Sequence, residues 1–394
     1  MRLYVRALCA VALAGCSDVK LPTASKPQQA ANTPAAPTPR PPDPQPPAVP
    51  PSVADRLDSM FVHRMEQVAI PADDFSEASD AVHPDMACPP ASWNGARCWL
   101  MYTPYKNSDP ALENPALLFA TSDTTWSTPD GIRNPIIPHP NLGYNSDPDH
   151  AFDPVTGRMI QIYRVVSDTF NTIMIMSTAN AKHWTKPVVA FQERAHDAVS
   201  PALIIEPDRT AKIWYVRSGT AGCTALSSTI QLRTAVPDST SGYEQSTWSA
   251  PVATDLAIPN YVPWHLDVVE LAPGAGYVAL IAAFPRGASC GTSDLWLATS
   301  PDGLHWQPYA MPIMWRTMAT ATTRSLVTWY RGTMRYDAQT DSLDIWPSAM
   351  SKTSWNVYHA RFALSDMVTM LKSVKPGDYK VTFTRNTLAP LHMP

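Results

Sequence analysis

His83-Pro84-Asp85, Ser146-Asp147-Pro148-Asp149, Val199-Ser200-Pro201, Trp264-His265-Leu266-Asp267 and Tyr330-Arg331-Gly332 recur along the chain, their starts 63, 53, 65 and 66 residues apart. Short runs of strand character accompany them: Trp99–Tyr102, Ala116–Ala120, Met159–Tyr163, Thr172–Met176, Lys212–Val216, Tyr277–Ala282, Leu295–Ala298 and Leu343–Trp346. Such runs, rich in β-branched and aromatic residues, read as strands. They end in a second recurring element, a tight turn closed by tryptophan. The stretch from Thr299 to Trp306, TSPDGLHW, is the cleanest copy, with looser ones at Thr178–Trp184 and Thr121–Trp126 and a longer insertion closed by Trp248. Asp-Gly and Asn tolerate the positive φ of hairpin turns, and each tryptophan is placed to cover the edge between neighbouring sheets. Five four-stranded units at this spacing account for nearly everything from 75 to 375 and predict an all-β, five-bladed β-propeller. A stacked β-sandwich would not restart with Asp-rich turns at such even intervals.

Outward from the repeats, the composition fits one domain on a stalk. The chain has 394 residues and 41 prolines, twelve of them between Leu21 and Ser52. Proline lacks a backbone donor, so this stretch favours extended polyproline II and reads as a linker over 16–52. The remainder holds 13 Trp, 14 Tyr and 9 Phe, enough for a sizeable core. Helical periodicity is clear only at its start, where Val53, Leu57, Met60, Phe61, Met65 and Val68 follow a Ser52 cap. The expected single domain is therefore 53–394, a propeller with a short N-terminal helix. A net charge of −4 and 16% charged residues exclude the dense basic face that nucleic acid requires.

The first residues read as an address. A basic start at Arg2 and Arg6 leads into the apolar run Ala7–Gly15, the layout of a signal peptide over 1–15. Leu13-Ala14-Gly15-Cys16 resembles a bacterial lipobox, which implies a lipidated Cys16, a membrane anchor and the cell envelope, with Ser17 pointing to the outer membrane or cell surface. Four cysteines then remain for an oxidising compartment. Cys88 and Cys98 flank a short loop, and Cys223 and Cys290 sit in matching glycine-containing connections, so these are the two expected disulfides.

In a propeller the first strand of each blade lines the axis, so the polar starts converge: Asp85, Asp147, Asp149, Ser200, His265, Asp267 and Arg331. Glu113 and Asn114, at the entry to a later strand of blade one, project toward the same funnel. Crowded carboxylates raise one another's pKa and so yield an acid and a base at one pH, which is what glycoside hydrolysis requires.

His83-Pro84-Asp85, Thr103-Pro104-Tyr105, Glu113-Asn114-Pro115, Asn134-Pro135-Ile136, Ser146-Asp147-Pro148, Ser200-Pro201, Trp264-His265 and Trp329-Tyr330-Arg331 together resemble the five-bladed propeller glycoside hydrolases, the assemblage of arabinanase/β-xylosidase and invertase-like groups. The resemblance runs over most of 75–365. It implies Asp85 as the base, Asp147 or Asp149 as the carboxylate that tunes pKa and holds substrate, and Glu113 or Asp267 as the acid, because blade three opens on Ser200-Pro201 with no glutamate. It further implies sugar binding by His83, Asn114, Ser200, His265 and Arg331, with Trp264 as a stacking face.

Sialidase chemistry needs three arginines around a carboxylate, and only Arg331 stands at a blade start. HExxH, Walker and GxGxxG motifs are absent. His150, His183, His196 and His265 show no paired ligand spacing, so neither a metal nor another cofactor is expected. The expectation is a monomeric, lipid-anchored glycoside hydrolase acting on a glycan, with furanosides among the candidates; the alternative is a non-catalytic propeller that binds glycan or protein at the envelope.

Overall fold

The computed structural model describes residues 51–375 except 63–64, 90, 238–241, 317, 319–325 and 352–353. The expected signal peptide, Cys16, nearly all of the linker and the tail beyond 375 lie outside the described residues.

Five four-stranded antiparallel sheets are arranged as blades. Blade one is β2 (Ala81–Ala87), β3 (Trp99–Pro104), β4 (Ala116–Ala120) and β5 (Trp126–Ser127). Blade two is β6 (Tyr144–Phe152), β7 (Met159–Val166), β8 (Phe170–Thr178) and β9 (Val188–Arg194). Blade three is β10 (Val199–Ile205), β11 (Ala211–Arg217), β12 (Thr229–Ala235) and β13 (Val252–Ala253). Blade four is β14 (Tyr261–Glu270), β15 (Tyr277–Pro285), β16 (Asp294–Ser300) and β17 (Gln307–Pro308). Blade five is β18 (Thr328–Asp337), β19 (Ser342–Met350), β20 (Trp355–Ala363) and, from the other end of the chain, β1 (Glu66–Gln67). Inner strands β2, β6, β10, β14 and β18 contact one another in a closed ring. The expected five-bladed propeller is the fold.

Closure by β1 is the element that the repeats alone do not reveal. Glu66 pairs with His359 and Gln67 with Tyr358, and Val68 N donates to Val357 O at 2.9 Å. The helix before it, α1 (Val53–Val62), begins as expected at Ser52. Ser52 Oγ accepts from Asp55 N at 3.1 Å while Asp55 accepts from Ser52 N at 3.0 Å, a reciprocal cap. Leu57 and Phe61 are fully buried, and Phe61 meets Phe362 of β20 edge-on at 5.9 Å. A second helix, α2 (Leu364–Lys372), follows β20 and buries Leu364, Met367, Met370 and Leu371 in the same core.

The tryptophan turns bridge blades as expected. Gly303 O accepts from Trp306 Nε1 at 2.9 Å and from Trp214 Nε1 of blade three at 2.8 Å. Trp248 likewise packs against Phe191 of blade two, centroids 6.1 Å apart. Both expected disulfides, Cys88–Cys98 and Cys223–Cys290, are present, the second joining the connections of blades three and four.

Prolines 84, 148 and 201 punctuate the blade starts in the sequence and read there as preceding the inner strands. They lie inside the inner strands, not before them, at a bulge where the ladder needs no donor.

Two stability predictions follow from this packing. Gly303 has φ +79°, and a Cβ there would stand 2.6 Å from Trp214 Cζ2. Gly303→Ala is expected to cost about 1–3 kcal/mol in urea denaturation through backbone strain and overpacking. Asp294, buried at the start of β16, accepts from Arg316 N at 3.0 Å and Tyr261 Oη at 3.3 Å, and burial pushes its carboxyl up to about 6. A carboxyl raised in the folded state adds stability that is complete below its unfolded pKa and lost as pH rises through the folded one. Asp294→Asn should therefore be more stable than wild type at pH 8 by up to ~3 kcal/mol, the gap closing between pH 6 and 4 in pH-resolved melts.

Candidate active site

Every inner strand has a register irregularity near its start: between Val82 and Asp85, Ser146 and Asp149, Val199 and Ala202, Pro263 and His265, and Trp329 and Gly332. His83, Asp147 and Ser200 take positive φ there, between 46° and 52°. The bulges set two rings of side chains about the axis. One ring is His83, Asp147, Ser200, His265 and Arg331; two residues further along each strand the other is Asp85, Asp149, Ala202, Asp267 and Thr333.

The second ring sews the blades together. Asp85 Oδ2 accepts from His150 N at 2.6 Å, Asp149 Oδ1 from Leu203 N at 2.9 Å, and Asp267 Oδ2 from Met334 N at 2.8 Å. Thr333 Oγ1 accepts from Met86 N at 3.0 Å and closes the circle. Ala202 has nothing to offer, and there Ser200 Oγ of the first ring accepts from Leu266 N at 3.1 Å. Each acceptor thus answers the backbone donor of the next blade. Asp85, Asp149 and Asp267, expected as catalytic carboxylates, all hold inner strands in this way. Burial and Asp85 raise Asp149 well above the carboxylate range and Asp267 to about 7, Arg331 opposing both. Arg331 Nη2 reaches Asp149 Oδ2 at 2.7 Å and Pro201 O at 3.0 Å.

The first ring is different, because its polar atoms are left over. Asp147 is fully buried; its Oδ2 is ion-paired with Arg164 Nε at 3.0 Å and accepts from Ser200 N at 3.1 Å. Burial pushes its carboxyl up, but Arg164, His83, His265 and Arg331 outweigh this and hold it far below the usual range. Its Oδ1 has no hydrogen-bond partner and lies 3.4 Å from His83 Nε2 and 3.7 Å from His265 Nδ1. Neither nitrogen has a hydrogen-bond partner. Burial keeps His265 neutral, well below the ordinary histidine value.

The tautomer of His83 follows from its surroundings. Its Nδ1 lies 3.0 Å from Thr103 Oγ1 and 3.2 Å from Glu113 Oε2. Thr103 spends its own proton on Val82 O and the carboxylate can only accept, so Nδ1 is the donor toward both. Glu113 is steadied in turn by Ser146 Oγ, which donates at 2.5 Å. His83 Nε2, Asp147 Oδ1 and a His265 nitrogen lie within 4.8 Å of one another, a donor set able to hold a cation. The other sets of this kind are already answered: Asp85, Asp149 and Asp267 by the belt, and Asp123, Asp344 and His359 by Arg335 and Arg361.

The sequence expectation of no metal ligands rested on spacing within the chain, and these three donors come from three blades. Asn114, buried, accepts from Asn145 Nδ2 at 2.9 Å and supports the wall beside Glu113. Trp264 offers no stacking face; its ring packs on His265 and Phe284 and its Nε1 donates to Tyr330 Oη at 3.1 Å. Tyr330 is the aromatic against both histidines, 4.2 Å from His265 and 5.5 Å from His83 between centroids. Arg164 went unrecognised in the sequence, although an arginine within the apolar strand Met159–Val166 is itself a sign of a buried partner.

No protein-family model matches the chain. It is 24% identical over 281 residues, 59% of its length, to the A type blood N-acetyl-α-D-galactosamine deacetylase of Flavonifractor plautii, and this match spans 35% of that protein. The chain thus covers about a third of the curated relative it matches. Among solved structures, an N-acetylgalactosamine deacetylase from F. plautii in complex with blood group B trisaccharide superposes with a TM-score of 0.69 at 19% identity, over 78% of this chain and 97% of that one. A thermostable family-43 glycoside hydrolase gives 0.52 at 14% identity, over 72% and 89%. The catalytic domain of a Coprinopsis cinerea GH62 α-L-arabinofuranosidase gives 0.52 at 11%, over 76% and 96%. The fold is that of the glycoside hydrolase propellers, as the sequence motifs implied.

Asp147→Asn preserves shape but strips the countercharge from the buried Arg164. A loss of about 3–5 kcal/mol is expected in urea denaturation, partly recovered by Asp147→Asn/Arg164→Met.

Proposed function

We propose that this chain is a hydrolase that removes the acetyl group from an N-acetylated amino sugar in a glycan, with a divalent cation on His83, Asp147 and His265. The observation that carries the reading is the convergence of orphaned buried atoms, His83 Nε2, Asp147 Oδ1 and the His265 nitrogens. Leaving such atoms unpaired costs about 1–3 kcal/mol each, and one bound cation answers three at once. Two imidazoles and one carboxylate, with positions left open, form the donor set of hydrolytic metal sites. The His83–Glu113 contact supplies the outer carboxylate that such ligands use to fix their tautomer. The matched relative's name, a deacetylase of N-acetylgalactosamine, agrees with this chemistry.

A divalent cation there supplies Lewis acidity toward an acyl oxygen and activates water at neutral pH. The chain's own groups do the rest. Glu113 and Thr103 hold the His83 ring in place, and Arg164 fixes the Asp147 carboxylate. Arg331 keeps Nε and Nη1 without hydrogen-bond partners beside Asp147, placed to stabilise negative charge developing on an acyl oxygen. Tyr330 Oη accepts from Trp264, and burial raises its pKa far above the usual value, so it keeps its proton as a donor. We place the activity at the bacterial cell envelope, on a lipid at Cys16, a reading that incorporation of labelled palmitate into wild type and its loss in Cys16→Ser tests.

A second reading, glycoside hydrolysis, is favoured by one observation: Asp147 is held ionised while Asp267 is raised to about 7, a base and an acid at one pH. A panel of oligosaccharides ending in N-acetylgalactosamine or N-acetylglucosamine separates the two. The deacetylase reading expects acetate release that is lost with a chelator and in His83→Ala, and reduced about 10–100-fold in Glu113→Gln. Reducing-sugar release without acetate, abolished in Asp267→Asn, would replace it with the second reading. Binding without either product would leave a lectin-like propeller.

A further inference from the structure

We infer that the hollow on the rim between blades two and three is a second saccharide subsite, taking a sugar that carries a carboxylate or sulfate group next to the residue held in the funnel. This rests on the funnel being a glycan-modifying site. The hollow has a volume of about 440 Å³, within the range of small-ligand sites. Arg194, Asp197, Arg217, Ser218, Thr220 and Ser227 line it.

Its position follows from the strand register. Arg194 ends β9 opposite Phe170, Arg217 ends β11 opposite Thr229, and β10 starts at Val199. All three lie at the end of the blades where the inner strands begin, the end at which the first ring stands. Asp197 faces the hollow and stands two residues before β10 and three before Ser200 of the first ring.

The chemistry is that of an anion site. Asp197 is committed: its carboxylate accepts from Gly219 N at 2.9 Å and lies 3.3 Å from Arg217 Nε. It orients a guanidinium that remains half exposed. Arg194 is exposed and forms no ion pair among the described residues. Two arginines against one committed carboxylate leave a positive hollow, and the planar guanidinium fork suits carboxylate and sulfate oxygens. Thr220 and Ser227 add hydroxyls suited to a sugar ring. The far wall is fixed in advance. Ser218 N and Oγ both donate to His196 O, at 3.0 and 2.8 Å, and the turn beyond carries Cys223, bonded to Cys290 of blade four. A wall that need not be ordered on binding leaves more of the contact energy for affinity.

The test measures binding by calorimetry for three tetrasaccharides of N-acetylhexosamine: one neutral, one with alternating glucuronate, and the sulfated form of the latter. Wild type is expected to bind the charged ones about tenfold tighter than the neutral one at low salt, a preference that shrinks as salt rises. Arg194→Ala, which leaves the Asp197–Arg217 pair untouched, and Arg194→Ala/Arg217→Ala should erase the preference without changing affinity for the neutral sugar. A preference for sulfate over glucuronate, or the reverse, identifies the anion. Equal binding of charged and neutral sugars by wild type, or a preference that survives both variants, overturns the inference. Failure to release acetate from the neutral tetrasaccharide, by contrast, strikes only the proposed activity, since the binding preference is read without turnover.

Discussion

A bulge at the same height in five inner strands governs this molecule. A regular strand turns successive side chains to opposite faces; the extra residue breaks that alternation and re-aims polar groups toward the axis. One register further on, each acceptor meets the backbone donor of the neighbouring strand. Blade-to-blade adhesion and the site therefore share one geometric cause.

The cost of this arrangement is the burial of charge. Asp85, Asp147, Asp149, Asp267, Arg164 and Arg331 are all nearly inaccessible to solvent, and a buried charge is tolerated only when paired and hydrogen-bonded. The second ring meets that condition with backbone donors and raised carboxyl pKa values. The first ring meets it only in part: Asp147 has Arg164 on one oxygen and nothing bonded to the other. The contrast between a satisfied ring and an unsatisfied one, two residues apart on the same strands, marks where a ligand belongs.

The repeats made the propeller readable before any coordinates, because turn chemistry and spacing are local properties. Gly303 needs its conformation whatever surrounds it, Cys88 and Cys98 flank one short loop, and Cys223 and Cys290 sit in matching connections. The residues of the funnel were readable as a set for the same reason, since each stands at a blade start. Their division of labour was not. Asp85 and Asp147 look alike in sequence, each beside a proline, yet one clamps His150 of the next blade and the other faces two imidazoles. That difference is set by neighbours more than fifty residues away. Glu66 and Gln67 were illegible as a strand because two residues carry no period, and Arg164 because its partner lies on another strand.

The two-residue strand β1 gives blade five an origin unlike the rest. Blades one to four are each made from one continuous stretch, so each can assemble as soon as that stretch exists. Blade five needs both ends of the ring, and it alone supplies Arg331. Asp147 has Arg164 within its own blade and can be buried with a countercharge early. Asp149 gains its guanidinium only when the circle shuts. Latching the circle and completing the funnel are then a single event, and a chain that fails to latch is also a chain without a site.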